Sequence, residues 1–112
     1  MILTDKQLEV MDVFWERNVP MTINAVIEAS ENRTWSTRSI YKIFAQLEKK
    51  GLIGVSHLSP TSTNYAKTYK VLLPFEKYIA KSIAWINQGR PPSIRVGAEV
   101  FIQAIKDEWE DA

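Results

Sequence analysis

The sequence predicts a mainly α domain with a small β-hairpin. Three observations carry that reading. Three successive helix starts share one capping signature, the hydrophobic period switches from helical to alternating after Gly51, and two more helix-period stripes follow Pro74.

The first helix starts at Thr4, an N-cap residue with Gln7 in capping-box position and Leu3 and Leu8 placed as a hydrophobic staple. Leu8, Met11, Phe14 and Trp15 form its apolar side, and it ends near Arg17–Asn18, ahead of Pro20. The second helix has Thr22 as cap and Met21 and Val26 as staple. Ala25, Val26 and Ala29 point inward, and it stops around Glu31–Asn32. The third helix spans Ser36 to Lys50, with Ser36 as cap and Trp35 and Ile40 as staple. Ile40, Ile43, Phe44 and Leu47 recur at helical spacing, and Gly51 suits the position just past the end.

Beyond Gly51, Ile53, Val55 and His57 alternate with Gly54, Ser56 and Leu58, as in a half-buried strand. The turn formers Ser59 to Asn64 follow, and then a second strand over Lys67 to Leu72 with Tyr69 and Val71 on one face. Helix, helix, helix and hairpin is the order of a winged helix-turn-helix. Tyr65 is expected to pack at the hairpin, and His57 to be packed or hydrogen-bonded on the strand face.

Pro74 suits the first position of a fourth helix, with Phe75, Tyr78, Ile79, Ser82, Ile83 and Ile86 in one stripe up to Gly89. After Arg90-Pro91-Pro92, Ser93 is the candidate cap of a fifth helix striped by Ala98, Phe101, Ile102, Ile105 and Trp109. These stripes exceed what a small three-helix core needs, and exposed apolar stripes usually find a partner. The expected organisation is a winged-helix DNA-binding domain over 1–73 and a helical dimerisation region over 74–112. Phe75, Tyr78, Ile79, Ile83, Ile86, Phe101, Ile105 and Trp109 would line the dimer contact. The alternative is that the stripes fold back on the chain's own core.

Composition narrows the function. The 112 residues contain no cysteine and one histidine, so thiolate metal sites and the usual zinc sets are excluded. No nucleophile–base pair and no glycine-rich phosphate loop is present, so no enzyme, metal or cofactor is expected. Apolar runs are only a few residues long and the N-terminus lacks a signal pattern, so a cytoplasmic protein that makes no membrane contact is expected.

Net charge is only +1, but it is segregated. Residues 1–32 carry six acidic and two basic side chains, residues 33–70 seven basic and one acidic, and residues 71–112 six acidic and five basic. Positive charge packed into the middle third is either a solvated basic face or the footprint of a polyanion.

Projected at about 100° per residue, the third helix sets Arg38, Lys42, Ala45 and Lys49 opposite its core stripe, flanked by Tyr41 and Gln46. Long cationic side chains near the start can reach base edges, a small residue allows close approach, and terminal cations can meet phosphate. Thr37 and Ser39, with the amides of the first turn, are placed to hold a phosphate. In the hairpin, Lys67 and Lys70 are expected to meet the DNA backbone. Thr61, Ser62, Thr63 and Asn64 would donate to phosphates or line the minor groove, or else the loop is simply solvated.

The run Leu3-Thr4-Asp5, Leu8-Glu9-Val10-Met11 and Phe14-Trp15 resembles the first helix of the penicillinase-repressor (BlaI/MecI-like) family of bacterial winged-helix transcriptional repressors. Thr34-Trp35-Ser36-Thr37, with Ile40, Leu47, Lys49, Lys50, Gly51 and Leu52, resembles its recognition-helix region. The likeness covers residues 3–58 well and continues loosely to Tyr69 and Pro74. It implies a homodimer that represses transcription at a palindromic double-stranded DNA operator. Ser36, Thr37, Arg38, Tyr41 and Lys42 would then enter the major groove, and the C-terminal helices would form the dimer. The wing departs from the family in being longer and polar. The Asn-Phe cleavage pair of the antibiotic-responsive members and the cysteine cluster of the copper-responsive ones have no counterpart here. No small-molecule effector is identifiable from the sequence.

The expected function is therefore a sequence-specific DNA-binding regulator, with helix 36–50 as its reader. A winged helix used as a protein–protein adaptor or antirepressor is the alternative, and an architectural binder without sequence preference is a third reading.

Overall fold

The computed structural model describes residues 2–62 and 64–111. Helix α1 (Asp5–Arg17) begins as its sequence dictates. Thr4 Oγ1 accepts from the Gln7 amide while Gln7 Oε1 accepts from the Thr4 amide, closing the capping box. It ends at Asn18, whose φ of 53° is left-handed and whose N–H returns to the Phe14 carbonyl. Strand β1 is the pair Met21–Thr22, and helix α2 (Ile23–Ala29) follows directly, capped by Thr22 Oγ1 on the Ala25 amide.

Helix α3 (Ile40–Lys49) is shorter than the expected 36–50. Residues 37–39 form a turn in which the Ser39 amide is taken by both the carbonyl and the hydroxyl of Ser36. An i→i+3 bond of this kind tightens the first turn, so regular α-helix begins only at Ile40. The far end closes as a Schellman motif. Gly51 has φ +81°, its N–H reaches the Glu48 carbonyl, and the Leu52 N–H reaches that of Leu47.

Strands β2 (Ile53–Pro60) and β3 (Tyr65–Val71) are each longer than the alternation indicated, so the connecting loop is confined to residues 61–64. Within it the Thr61 and Asn64 main chains pair, and Thr61 Oγ1 both donates to the Asn64 carbonyl and accepts from the Asn64 amide. Thr63, one of the expected wing donors, lies outside the described residues. The sheet is antiparallel in the order β1-β3-β2, with Met21 opposite Tyr69 and Thr22 opposite Thr68. The expected hairpin is thus joined by a third strand, β1.

The alternation in β2 fails at Ser56. Val55 faces Tyr69 and His57 faces Thr68, so Ser56 is a bulge residue and every later side chain changes face. His57 is exposed, its Nδ1 3.1 Å from the hydroxyl of its neighbour Ser56, and Tyr65 is 65% exposed rather than packed.

The core of the unit Ile2–Tyr78 is built from Val10, Met11 and Phe14 of α1, Val26 of α2, Ile40, Ile43, Phe44 and Leu47 of α3, and Leu52, Ile53 and Tyr69 around the sheet. Phe44 is its hub, with ring centroids 5.8 Å from Phe14 and 5.0 Å, edge-on, from Tyr69. On α1 the inward set includes Gln7, while Leu8 and Trp15 are only half-buried. Trp15 Nε1 donates to the Leu73 carbonyl, and its ring packs on Phe75 and Tyr78.

Helix α4 spans Phe75–Gln88. Tyr78, expected in a dimer stripe, is 5% exposed, and its hydroxyl accepts from the Leu3 amide. Its ring is therefore spent within the chain, which corrects its assignment to an intermolecular surface.

The second unit runs from Ile79 through the remaining described residues. Here Asn87 clamps the Val96 main chain by donating to its carbonyl and accepting from its amide. Arg95 donates to the carbonyls of Arg90 and Gln88. Ser93 sits inside a 3-10 turn (Pro92–Ile94), not at a helix start, and helix α5 runs Ala98–Asp111 with no buried residue. Among the described residues no helix is long and apolar enough to cross a membrane.

Candidate nucleic-acid interface

The hydrophobic pattern of α3 fixes which of its side chains face outward. Ile40, Ile43, Phe44 and Leu47 are buried, so Tyr41, Lys42, Ala45 and Lys49 are exposed on the other side. Arg38 is exposed in the turn that leads in. One short element thus presents two lysines, a tyrosine that is 61% exposed and an alanine, with an arginine at its entry.

The entry turn is internally bonded. Ser36 and Ser39 hydroxyls lie 2.8 Å apart, and Thr37 Oγ1 accepts from Arg33 Nη2. Because the Ser39 amide is already used twice, it is not among the donors expected for a phosphate. Gln46, expected beside the outward face, is half-buried and turned toward α1, where its Oε1 accepts from Gln7 Nε2 at 3.0 Å. Lys50 is drawn the same way, its Nζ donating to Gln7 Oε1.

The sheet adds two further exposed cations, Lys67 and Lys70. Lys67 on β3 lines a groove of about 320 Å³ with Thr22, Asn24 and Tyr41. Sequence spacing could not join these residues. Asn24 was not singled out at all, because only the pairing of β1 with β3 sets the start of α2 beside the hairpin. Lys70 is exposed as well, and the pairing of Leu58 with Lys67 puts the latter midway along the hairpin. Beneath the groove, burial followed by the charge of Glu48 pushes the Tyr69 hydroxyl above its ordinary range.

A contrasting cleft of about 400 Å³ lies between α1 and the segment after α2. Glu9, Asp12, Glu16 and Glu31 line it, together with Arg17, Arg33 and Trp35. Partial burial, then the neighbouring charges of Glu16 and Glu9, hold the Asp12 carboxyl above the usual carboxylate range. Glu9 ties the cleft to the α3 entry, accepting from the Thr34 amide and hydroxyl.

Three helices, a bulged hairpin and an outward cationic face on the third helix define a winged helix-turn-helix of the DNA-binding regulator class. The chain belongs to the penicillinase repressor family, whose model matches residues 3–82. That family and the winged-helix fold are those of transcriptional regulators. Among solved structures the chain is similar to the ferric uptake regulator of Francisella tularensis, solved with iron, with a TM-score of 0.51 at 16% identity. That match covers 64% of this chain and 54% of the other, so this chain aligns with about half of that protein's length. At that identity the likeness concerns the fold. Comparison with curated protein sequences gives no match.

Proposed function

We propose that the chain is a homodimeric repressor that binds a palindromic double-stranded DNA operator. The observation that carries this is the outward face of α3, where Lys42 and Lys49 stand opposite a buried stripe, with Arg38 exposed in the turn that leads in. Arg38 is suited to bidentate contact with a guanine edge, worth about 1–3 kcal/mol of discrimination. Ala45 fits against a thymine methyl, Tyr41 and Lys42 flank it in the major groove, and Lys49 and Lys67 neutralise phosphates. Ser36 and Thr37 serve at the entry turn through their exposed positions, with Ser39 and Gln46 positioning the helix from within.

The assembly reading rests on residues 74–112. Helix α5 has no fully buried residue, Trp109 is 74% exposed, and Ile79 and Ile86 are exposed on α4. Ile83, Phe101 and Ile105, each half-buried, complete the apolar stripes that a second copy would cover. Two copies would then read half-sites about one helical turn apart. The domain division at residue 73/74 belongs to this proposal. So does a cytoplasmic location, where the DNA would be met.

The test is titration of a duplex from the protein's own promoter against a random duplex across a salt series. Repression at that site requires tighter binding to the promoter and a steep fall with salt. Equal affinity for both duplexes would eliminate it. The adaptor reading predicts instead that binding to any partner is indifferent to Arg38 and Lys42.

A further inference from the structure

We propose that Arg33 is a positioning residue for the reading helix. It joins the end of α2 to the turn that enters α3, and so fixes where Arg38 emerges. This rests on the reading of α3 as a DNA reader. It also takes Arg33 out of the set of cations that meet phosphate, where its place in the basic middle third of the sequence would put it.

Helix α2 stops at Ala29, and a helix leaves its last carbonyls without intrahelical partners. Ser30 Oγ donates to the Val26 carbonyl at 2.6 Å, and Arg33 Nη1 donates to the Ile27 carbonyl at 3.2 Å. Between them Asn32, with a left-handed φ of 52°, turns the chain. A cation at this end of a helix is also favoured by the helix dipole.

The other arm of the guanidinium reaches forward. Arg33 Nη2 donates to Thr37 Oγ1 at 3.2 Å, and the guanidinium carbon lies 4.8 Å from the centroid of the Trp35 ring. Trp35 is 2% exposed, so the plate under the guanidinium is set by the core. Both terminal nitrogens of Arg33 are bonded within the chain and its side chain is half-buried, whereas Arg38, Lys42 and Lys49 are exposed. From α1, Glu9 accepts from the amide and hydroxyl of Thr34. The entry turn is thus tied to α2 by Arg33 and to α1 by Glu9.

Lysine offers a way to tell positioning from charge. An ammonium is a point charge without a planar fork, so it cannot lie on the indole and serve both acceptors. A phosphate contact draws mainly on charge, which lysine keeps.

Arg33→Lys and Arg33→Gln in the full chain test the proposal. The first measurement is amide hydrogen exchange without DNA. In Arg33→Lys the Ser39 amide, which closes the entry turn on Ser36, should exchange several-fold faster than in the wild type. The Phe44 amide, in the middle of α3, should keep its rate. An unchanged Ser39 rate overturns the proposal, and so does equal acceleration at both amides, which reports a loss of general stability alone. The second measurement is the salt series with the promoter duplex. Arg33→Gln should lower affinity several-fold with the wild-type salt slope retained, and Arg33→Lys should lower it as far. A slope reduced by about 1 in Arg33→Gln and restored in Arg33→Lys puts Arg33 on a phosphate and overturns the proposal. A wild-type chain that does not prefer its promoter sinks the repressor reading instead, and the exchange measurement still decides the role of Arg33.

Discussion

Gln7 and Gln46, 39 positions apart, are joined side chain to side chain at 3.0 Å, so the first turn of α1 holds the middle of α3. The same Gln7 accepts from the Thr4 amide and from Lys50 Nζ at 3.2 Å. A single buried polar residue thus closes a helix cap and seats the helix that carries the basic face.

Replacing Gln7 with Leu removes the cap bond and both tethers while preserving bulk. The Thr4 amide and Gln46 Oε1 lose partners, a loss of about 1–3 kcal/mol in urea denaturation. An unchanged midpoint would show that the tether carries no stability.

Arg38→Ala and Lys49→Ala should separate two kinds of contact. The first is expected to relax base preference at one position of the operator half-site. The second should weaken every sequence alike and reduce the salt slope by about 1. Identical effects of the two variants on selected and random duplexes would contradict the division.

The dimer reading concerns helix faces far from α3 in sequence. Ile86→Asp or Trp109→Asp is expected to shift the chain from dimer to monomer in sedimentation velocity, with the thermal transition of the Ile2–Tyr78 unit retained. Tyr78→Phe should instead leave the sedimentation coefficient alone and lower stability by about 1 kcal/mol, because the Leu3 amide loses its acceptor. A monomeric wild-type chain at micromolar concentration would end the dimer proposal.

Asp12 gives a pH signature with a definite sign. Its folded-state affinity for a proton is raised, chiefly by partial burial and then by Glu16 and Glu9, so the ionised form is the disfavoured one in the folded chain. Stability from this group is full below the ordinary value of 3.8 and is lost as pH rises through the higher folded value. Asp12→Asn should therefore raise stability at pH 7, by less than about 1 kcal/mol because the side chain is largely exposed, and with it the melting temperature. The gain should shrink to nothing in acid. A constant gain at all pH values would assign the effect to packing.

The helix starts at Thr4 and Thr22 were legible because a cap is local chemistry, written within four residues. The buried stripe of α3 was legible from its period, and with it the outward set of Lys42, Ala45 and Lys49. What escaped depends on partners distant in sequence. Met21–Thr22 is a strand only because Tyr69 and Thr68 lie beside it, and two residues carry no period of their own. The bulge at Ser56 reverses a clean alternation and moves His57 to the other face, and Tyr65 is exposed at the far end of the hairpin, opposite Pro60. Gln46 read as an outer flank because nothing in the period of α1 says that a glutamine turns inward to meet it.

Thr22 occupies two structures at once. Its backbone stands opposite Thr68 in the sheet, and its hydroxyl holds the first turn of α2. Sliding β3 by a single residue would swap the faces of Thr68 and Tyr69 and at the same moment disturb that cap. The hairpin is therefore keyed to the helices like a tooth in a gear, and its base can open only when the helical part opens too. Amide exchange should record this as a gradient along β3, slower at Tyr69 than at Tyr65. A wing whose root is tied to the core in this way meets a partner without losing its alignment to α3.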